Sequence, residues 1–200
     1  MLPGMRPFLA AISATVVNSL ISAVAALAVI PCPAPAAVSP ESPDPCPPGR
    51  TGTDGDDRFA GTAADDAYLA LAGDDRARGR GGRDCLEGNE GDDRLRGGPK
   101  PDSLYGGSDR DRLRGGSGPD VLQLDRESQG GDALWGGRGA DRMEGGGASD
   151  RIFAGRGDDR IDAVSGGRAD AVIACGRGRD VVVTNRGQPA RGDCEKVVFV

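Results

Sequence analysis

The stretch Gly115-Gly116-Ser117-Gly118-Pro119-Asp120 runs into Leu122, and the same pattern returns as Gly136-Gly137-Arg138-Gly139-Ala140-Asp141 ahead of Met143. Counting outward from Asp120, aspartates stand nine residues apart at Asp111, Asp102, Asp93, Asp84, Asp75, Asp66 and Asp57. On the other side a spacer of twelve leads to Asp132, and Asp141, Asp150 and Asp159 resume the nine; Asp170 and Asp180 follow at eleven and ten. Two residues after each Asp comes an apolar side chain: Phe59, Tyr68, Ala77, Leu86, Leu95, Leu104, Leu113, Leu122, Leu134, Met143, Ile152, Ile161, Val172 and Val182. Glycine collects upstream of the Asp. Three signals on one period mark an internal repeat.

The spacing dictates a shape. Six Gly-rich residues make a turn that needs positive φ at several positions, where Gly is the cheap residue. The remaining three make a short strand whose middle side chain points one way and whose flanks point the other. A single unit cannot bury its one apolar residue. Stacked units wind into a coil of two turns and two strands per 18 residues, with a narrow continuous core. The expected fold is all-β, a parallel solenoid.

Composition agrees. In 200 residues there are 34 Gly, 4 % aromatics and no His. A thick core spends large apolar and aromatic side chains, and this chain has few. Without His there is no Ser-His-Asp or Cys-His constellation, no His-ligated zinc and no histidine general base, so the chain is read as non-catalytic. The formal charge of −6 and pI near 4.8 argue against nucleic acid as the main partner.

Arg6 is the only charge before Glu41, and Phe8 to Ile30 is a nearly unbroken apolar run followed by dense Pro. Ala34-Pro35-Ala36 fits a signal-peptidase site. The run is also long enough to span a bilayer, so a membrane partner enters only if the segment is kept. Cleavage after Ala36 or Ala37 leaves Cys46, Cys85, Cys175 and Cys194. Four cysteines in an exported chain suggest two disulfides with three connectivities. Closeness in sequence favours Cys46 with Cys85 and Cys175 with Cys194; reduced thiols or intermolecular bonds remain alternatives.

The unit resembles the RTX, or hemolysin-type, calcium-binding repeat G-G-x-G-x-D-x-U-x, over residues 52 to about 183. The resemblance implies a parallel β-roll whose turns chelate Ca²⁺ with backbone carbonyls and the Asp carboxylate. Carried over by position, the ligands would be Asp57, Asp66, Asp75, Asp84, Asp93, Asp102, Asp111, Asp120, Asp141, Asp150 and Asp159. The tail Cys175-Gly176-Arg177-Gly178-Arg179-Asp180, with Asp193-Cys194-Glu195, looks like the end of exported bacterial proteins of this type. Ca²⁺ favours six or more oxygens in flexible geometry, and repelling carboxylates on Gly-rich turns imply that ion binding is coupled to folding. The pattern departs from the motif at its fourth position in Ala64, Lys100, Asp109 and Ala148, while Asp132 lacks the usual turn and Asp170 has a shortened one. The resulting division is 1–37 signal peptide, 38–51 Pro-rich linker, 52–183 roll and 184–200 capping segment, with Val197-Val198-Phe199-Val200 as the closing strand.

In a two-sheet roll every second unit shares a sheet. Arg58, Arg76, Arg78, Arg94, Arg96, Arg112 and Arg114 would then pave one face, which is either a solvated counterweight to the turn aspartates or a dock for an anionic polysaccharide or cell-surface polymer. Three functions compete: a secreted calcium-dependent structural or surface-binding module, with a calcium-independent, disulfide-held scaffold or adhesin as its alternative; a secretion or folding tail; and a carboxylate hydrolase built on Asp125 and Glu127 in the irregular 123–131 insertion.

Overall fold

The computed structural model describes residues 49–125, 131–147, 149–164, 172–186, 190 and 193–200. Its strands alternate between two wholly parallel sheets up to Val181–Thr184, and Lys196–Phe199 then joins that strand's own sheet. A nine-stranded sheet begins at Arg50–Thr51 and ends at Lys196–Phe199; a seven-stranded sheet begins at Arg58–Ala60 and ends at Val172–Arg177. Among the described residues there is no helix. This is the expected β-solenoid, of about seven turns.

Register follows the repeat. Arg76 pairs with Arg94 and Arg94 with Arg112, one 18-residue coil apart. Where the sequence inserts three residues the register is kept: Arg112 pairs with Ala133, and Arg151 with Val172. The extra residues lie between strands, so every core position stays filled.

The inward residue of every strand from Arg58–Ala60 to Val181–Thr184 is buried, from Phe59 and Tyr68 through Leu86, Leu95, Leu104, Leu113 and Leu122 to Val182. Phe59 and Tyr68 stack at 4.4 Å between ring centroids at the N-terminal end. One expectation needs correcting. Ile173, not Val172, fills the core, because Ile173 pairs with Ile152; counting from Asp170, which lies outside the described residues, runs one residue early.

Many strands also outgrow the expected three residues. Arg94–Pro99 and Arg112–Ser117 carry pairing through the glycines, with Gly98 opposite Gly116. Left-handed backbone recurs at the second and fourth motif positions. At the second it includes Leu71, Arg80 and Asn89, and at the fourth Lys100 and Asp109, beside many glycines. A side chain there costs about 1 kcal/mol or more. Ala64 does not share this backbone; its amide donates to Thr62 Oγ1 at 3.0 Å, giving a differently shaped turn.

Lys196–Phe199 pairs in parallel with Val181–Thr184 and forms the terminal strand of its sheet. Cys175–Cys194 clips it to the preceding coil, with S–S 2.01 Å. Cys85 is buried and disulfide-bonded, not exposed as an outward strand residue would be; its partner, like Cys46, lies outside the described residues.

Candidate metal centre

Each repeat Asp closes a turn and opens a strand, so the parallel winding stacks the aspartates in two columns, one on each edge of the roll. On one edge the backbone N–H of Asp57 donates to Asp75 Oδ1 at 2.6 Å, Asp75 to Asp93 at 2.8 Å and Asp93 to Asp111 at 3.0 Å. The column continues from Asp111 to Asp132 at 2.8 Å and from Asp132 to Asp150 at 2.9 Å. The other edge runs Asp66, Asp84, Asp102, Asp120, Asp141, Asp159 and Asp180, each amide donating to the next carboxylate at 2.8–3.0 Å. There the Asp180 amide donates to Glu195 Oε2 at 2.7 Å, so a glutamate supplies the last rung. All eleven expected aspartates fall in these columns. Asp132 and Asp180, counted in the repeat but not among the expected ligands, join them, as does Glu195, which the repeat pattern does not reach.

Oδ1 is therefore spoken for, and Oδ2 is not. The Oδ2 atoms of Asp75, Asp84, Asp93, Asp102, Asp111, Asp120, Asp141, Asp150, Asp159 and Asp180 are buried without a hydrogen-bond partner. A buried polar atom left unpaired costs about 1–3 kcal/mol, more when charged. Repetition at ten rungs makes this a property of the design. The first coil differs. Asp57 Oδ2 accepts from Thr53 N–H at 2.6 Å and Oγ1 at 2.9 Å, and Asp66 Oδ2 from Thr62 N–H at 2.5 Å and Oγ1 at 3.0 Å. Threonine in place of the second glycine of the motif was the sequence signal for this.

At several rungs a glycine at the first motif position keeps the space, while Ala70, Ala154 and Cys175 stand there ahead of Asp75, Asp159 and Asp180. A Cβ on Gly88, Gly97, Gly106, Gly115 or Gly136 would run into Oδ2 of Asp93, Asp102, Asp111, Asp120 or Asp141 respectively. None of these five glycines has positive φ; they are needed for room. At Gly88 and Gly136 a backbone carbonyl of the next coil, from Gly106 and Ala154, meets the same point. Among the described residues no three Asp, Glu, Cys or His side chains converge. The donor set is thus one carboxylate oxygen per rung plus main-chain carbonyls, all oxygen, which suits a hard cation such as Ca²⁺.

Burial sets the protonation. Desolvation raises Asp102 from 3.8 to about 7, against the opposing pull of its backbone hydrogen bond and with help from the charges of Asp84 and Asp65. Asp93 and Asp159 are likewise pushed to about 7, and Asp111 and Asp120 to about 8. Asp84 and Asp141 reach about 6, while Asp75, Asp150 and Asp180 are raised, all chiefly by burial. As for the hydrolase reading, Asp125 is exposed and Glu127 lies outside the described residues.

The family model described as the RTX calcium-binding nonapeptide repeat (4 copies) matches residues 61–95, 87–122 and 128–161. No curated protein matches the chain significantly.

Proposed function

Because the chain carries RTX calcium-binding nonapeptide repeats within residues 61–161, we propose that it is an extracellular, non-catalytic calcium-binding module whose two aspartate columns are the ion sites. The observation that supports this is the row of buried, unpartnered Oδ2 atoms, those of Asp84, Asp93, Asp102, Asp111, Asp120 and Asp141 each beside a glycine that keeps room for it. Calcium would supply the missing positive charge and accept the carboxylate and carbonyl oxygens as ligands. The ligands we assign are the ten aspartates with orphaned Oδ2. Asp57 and Asp66 serve a threonine-capped first coil that is complete without metal.

Ion binding on this reading is coupled to folding, since only the wound coil assembles the oxygens. Placement outside the cell is supported by the Cys175–Cys194 disulfide, a bond typical of oxidising compartments. Affinities of order 10⁻⁴–10⁻³ M would suit that setting. The same disulfide, with the bonded Cys85, favours one alternative, a scaffold that holds its shape without calcium.

Calorimetric titration of the chain with calcium, with circular dichroism in parallel, separates the two. Several ions bound with a gain of β signal is the expected result. No heat and an unchanged spectrum would leave only the disulfide-held scaffold.

A further inference from the structure

The seven-stranded sheet sorts its outward side chains into rows. Arg78, Arg96, Arg114, Trp135 and Phe153 stand in register on five adjacent strands. Farther along the strands, Arg138, Arg156 and Arg177 form another row, again in register. Between these rows the strands pass through Gly98, Gly116, Gly137 and Gly155, paired to one another, so the sheet has no side chains there. The result is a trough running along the roll axis. One part, of about 800 Å³, is walled by Arg78, Arg80, Arg96, Arg114 and Trp135. A second, of about 550 Å³, is walled by Arg138, Arg156 and Arg177 and shares Gly116, Ser117 and Gly137 with the first. No carboxylate lines either part, although the protein carries a net −6.

We propose that this glycine-floored trough binds a linear anionic polysaccharide. Charge complementarity is the first argument. The wall arginines are exposed and, among the described residues, none of them forms an ion pair with a carboxylate. Guanidinium forks suit carboxylate and sulfate groups, which they grip in two-point fashion. Shape is the second. Successive arginines repeat at about 4.8 Å, the strand spacing, close to the advance of one sugar unit in an extended chain. The bare glycine floor lets such a chain lie against the backbone.

Trp135 decides between polymer classes. Single-stranded nucleic acid needs open aromatic faces on which bases stack. Here the Arg114 guanidinium covers one face at 5.2 Å, and Phe153, from the strand on the other side, stacks at 5.9 Å and 10°. The tryptophan serves to hold Arg114 in place and leaves no platform for a base. The trough lies on a sheet face and the aspartate columns on the edges, so this proposal stands apart from the calcium reading.

The test is calorimetry in millimolar calcium and low salt, using heparin oligosaccharides (sulfated), galacturonate oligomers (carboxylated), neutral dextran and poly(dT). We expect binding to one or both anionic sugars, none to dextran, and at least a tenfold loss in Arg96→Glu/Arg114→Glu with the circular dichroism spectrum kept. Sulfate and carboxylate preferences are read from the two sugar arms. If that variant does not fold, Arg138→Ser/Arg156→Ser, exposed in the adjoining stretch, is held to the same criterion. Failure of the wild type to bind either sugar, wild-type affinity in the variant, or equal or tighter binding of poly(dT) would overturn the proposal.

Discussion

Metal removal and pH should act on this fold in a linked way. A buried acid whose pKa rises on folding holds its proton more tightly in the folded chain than in the unfolded one. Without calcium, the stability tied to that proton is fully present below the unfolded value near 3.9 and is lost as pH climbs through the folded value. For Asp102 the folded value is about 7, so its ionised form at pH 8 weakens the metal-free roll by roughly 4 kcal/mol. Two or three such residues rival the whole stability of an ordinary domain, about 5–15 kcal/mol. Seven aspartates are pushed to about 6 or higher. The roll stripped with a chelator should therefore be unfolded near pH 8 and regain β structure as the pH is lowered towards 5. Saturating calcium should remove most of this dependence, because the ion takes the proton's place. The assay is far-ultraviolet circular dichroism with urea midpoints at several pH values, with and without chelator. A stripped chain equally stable at pH 5 and pH 8 would refute the reasoning, since it would mean the carboxylates ionise in place at no cost.

Three further outcomes follow from single sites. Asp102→Asn should reverse sign with conditions: more stable than wild type in chelator at pH 8, but binding one ion fewer by titration. Gly97→Ala puts a Cβ against Asp102 Oδ2 and should cost about 1–3 kcal/mol by overpacking; Gly55→Ala, with nothing within 4 Å, should stay within about 0.5 kcal/mol in the same melts. Cys175→Ser/Cys194→Ser opens a link of sequence separation 19 and should cost about 2–4 kcal/mol, with hydrogen exchange rising first in Lys196–Phe199.

The winding was legible because three weak signals share one period, and a one-residue slip would bury arginine and expose leucine. Where the sequence inserts residues that logic still holds, but counting does not. The insertion before Val172 moves the core position to Ile173, and only strand pairing reveals it. Asp132 is counted in the repeat but lacks the motif turn that marks a ligand, and Glu195 escapes the count altogether, because it accepts from an amide 15 residues earlier, a distance set by the coil path. Positive φ at Leu71, Arg80 and Asn89 was equally hidden, because a solenoid can force a poor turn residue between good neighbours when strand pairing on both sides offsets the strain. The arginine face was readable from strand alternation. The second arginine row was not, since those residues sit at motif positions expected to be turn and instead continue the strand.

The columns also dictate how the rungs should fill. Oδ1 of each Asp joins it to the coil before, so the carboxylates cannot move apart to relieve repulsion. Asp93 is raised by burial first, then by the charges of Asp75, Asp74 and Asp92; Asp111 by burial, then Asp93, Asp132 and Asp92. Within a column, then, part of the penalty at one rung is the charge on its neighbour. An ion that neutralises one rung lowers the cost of ionising the next and fixes the turn the next ion needs, so both effects favour filling from an occupied site outward. The threonine-capped first coil satisfies its Oδ2 atoms with protein donors alone and is the natural starting point. Calcium titration should accordingly be steeper than independent sites allow, and Thr62→Val, which strips Asp66 of a donor, should shift the whole curve to higher calcium. A Hill slope of one, unmoved by that change, would mean the rungs bind separately and the column is only a geometric repeat.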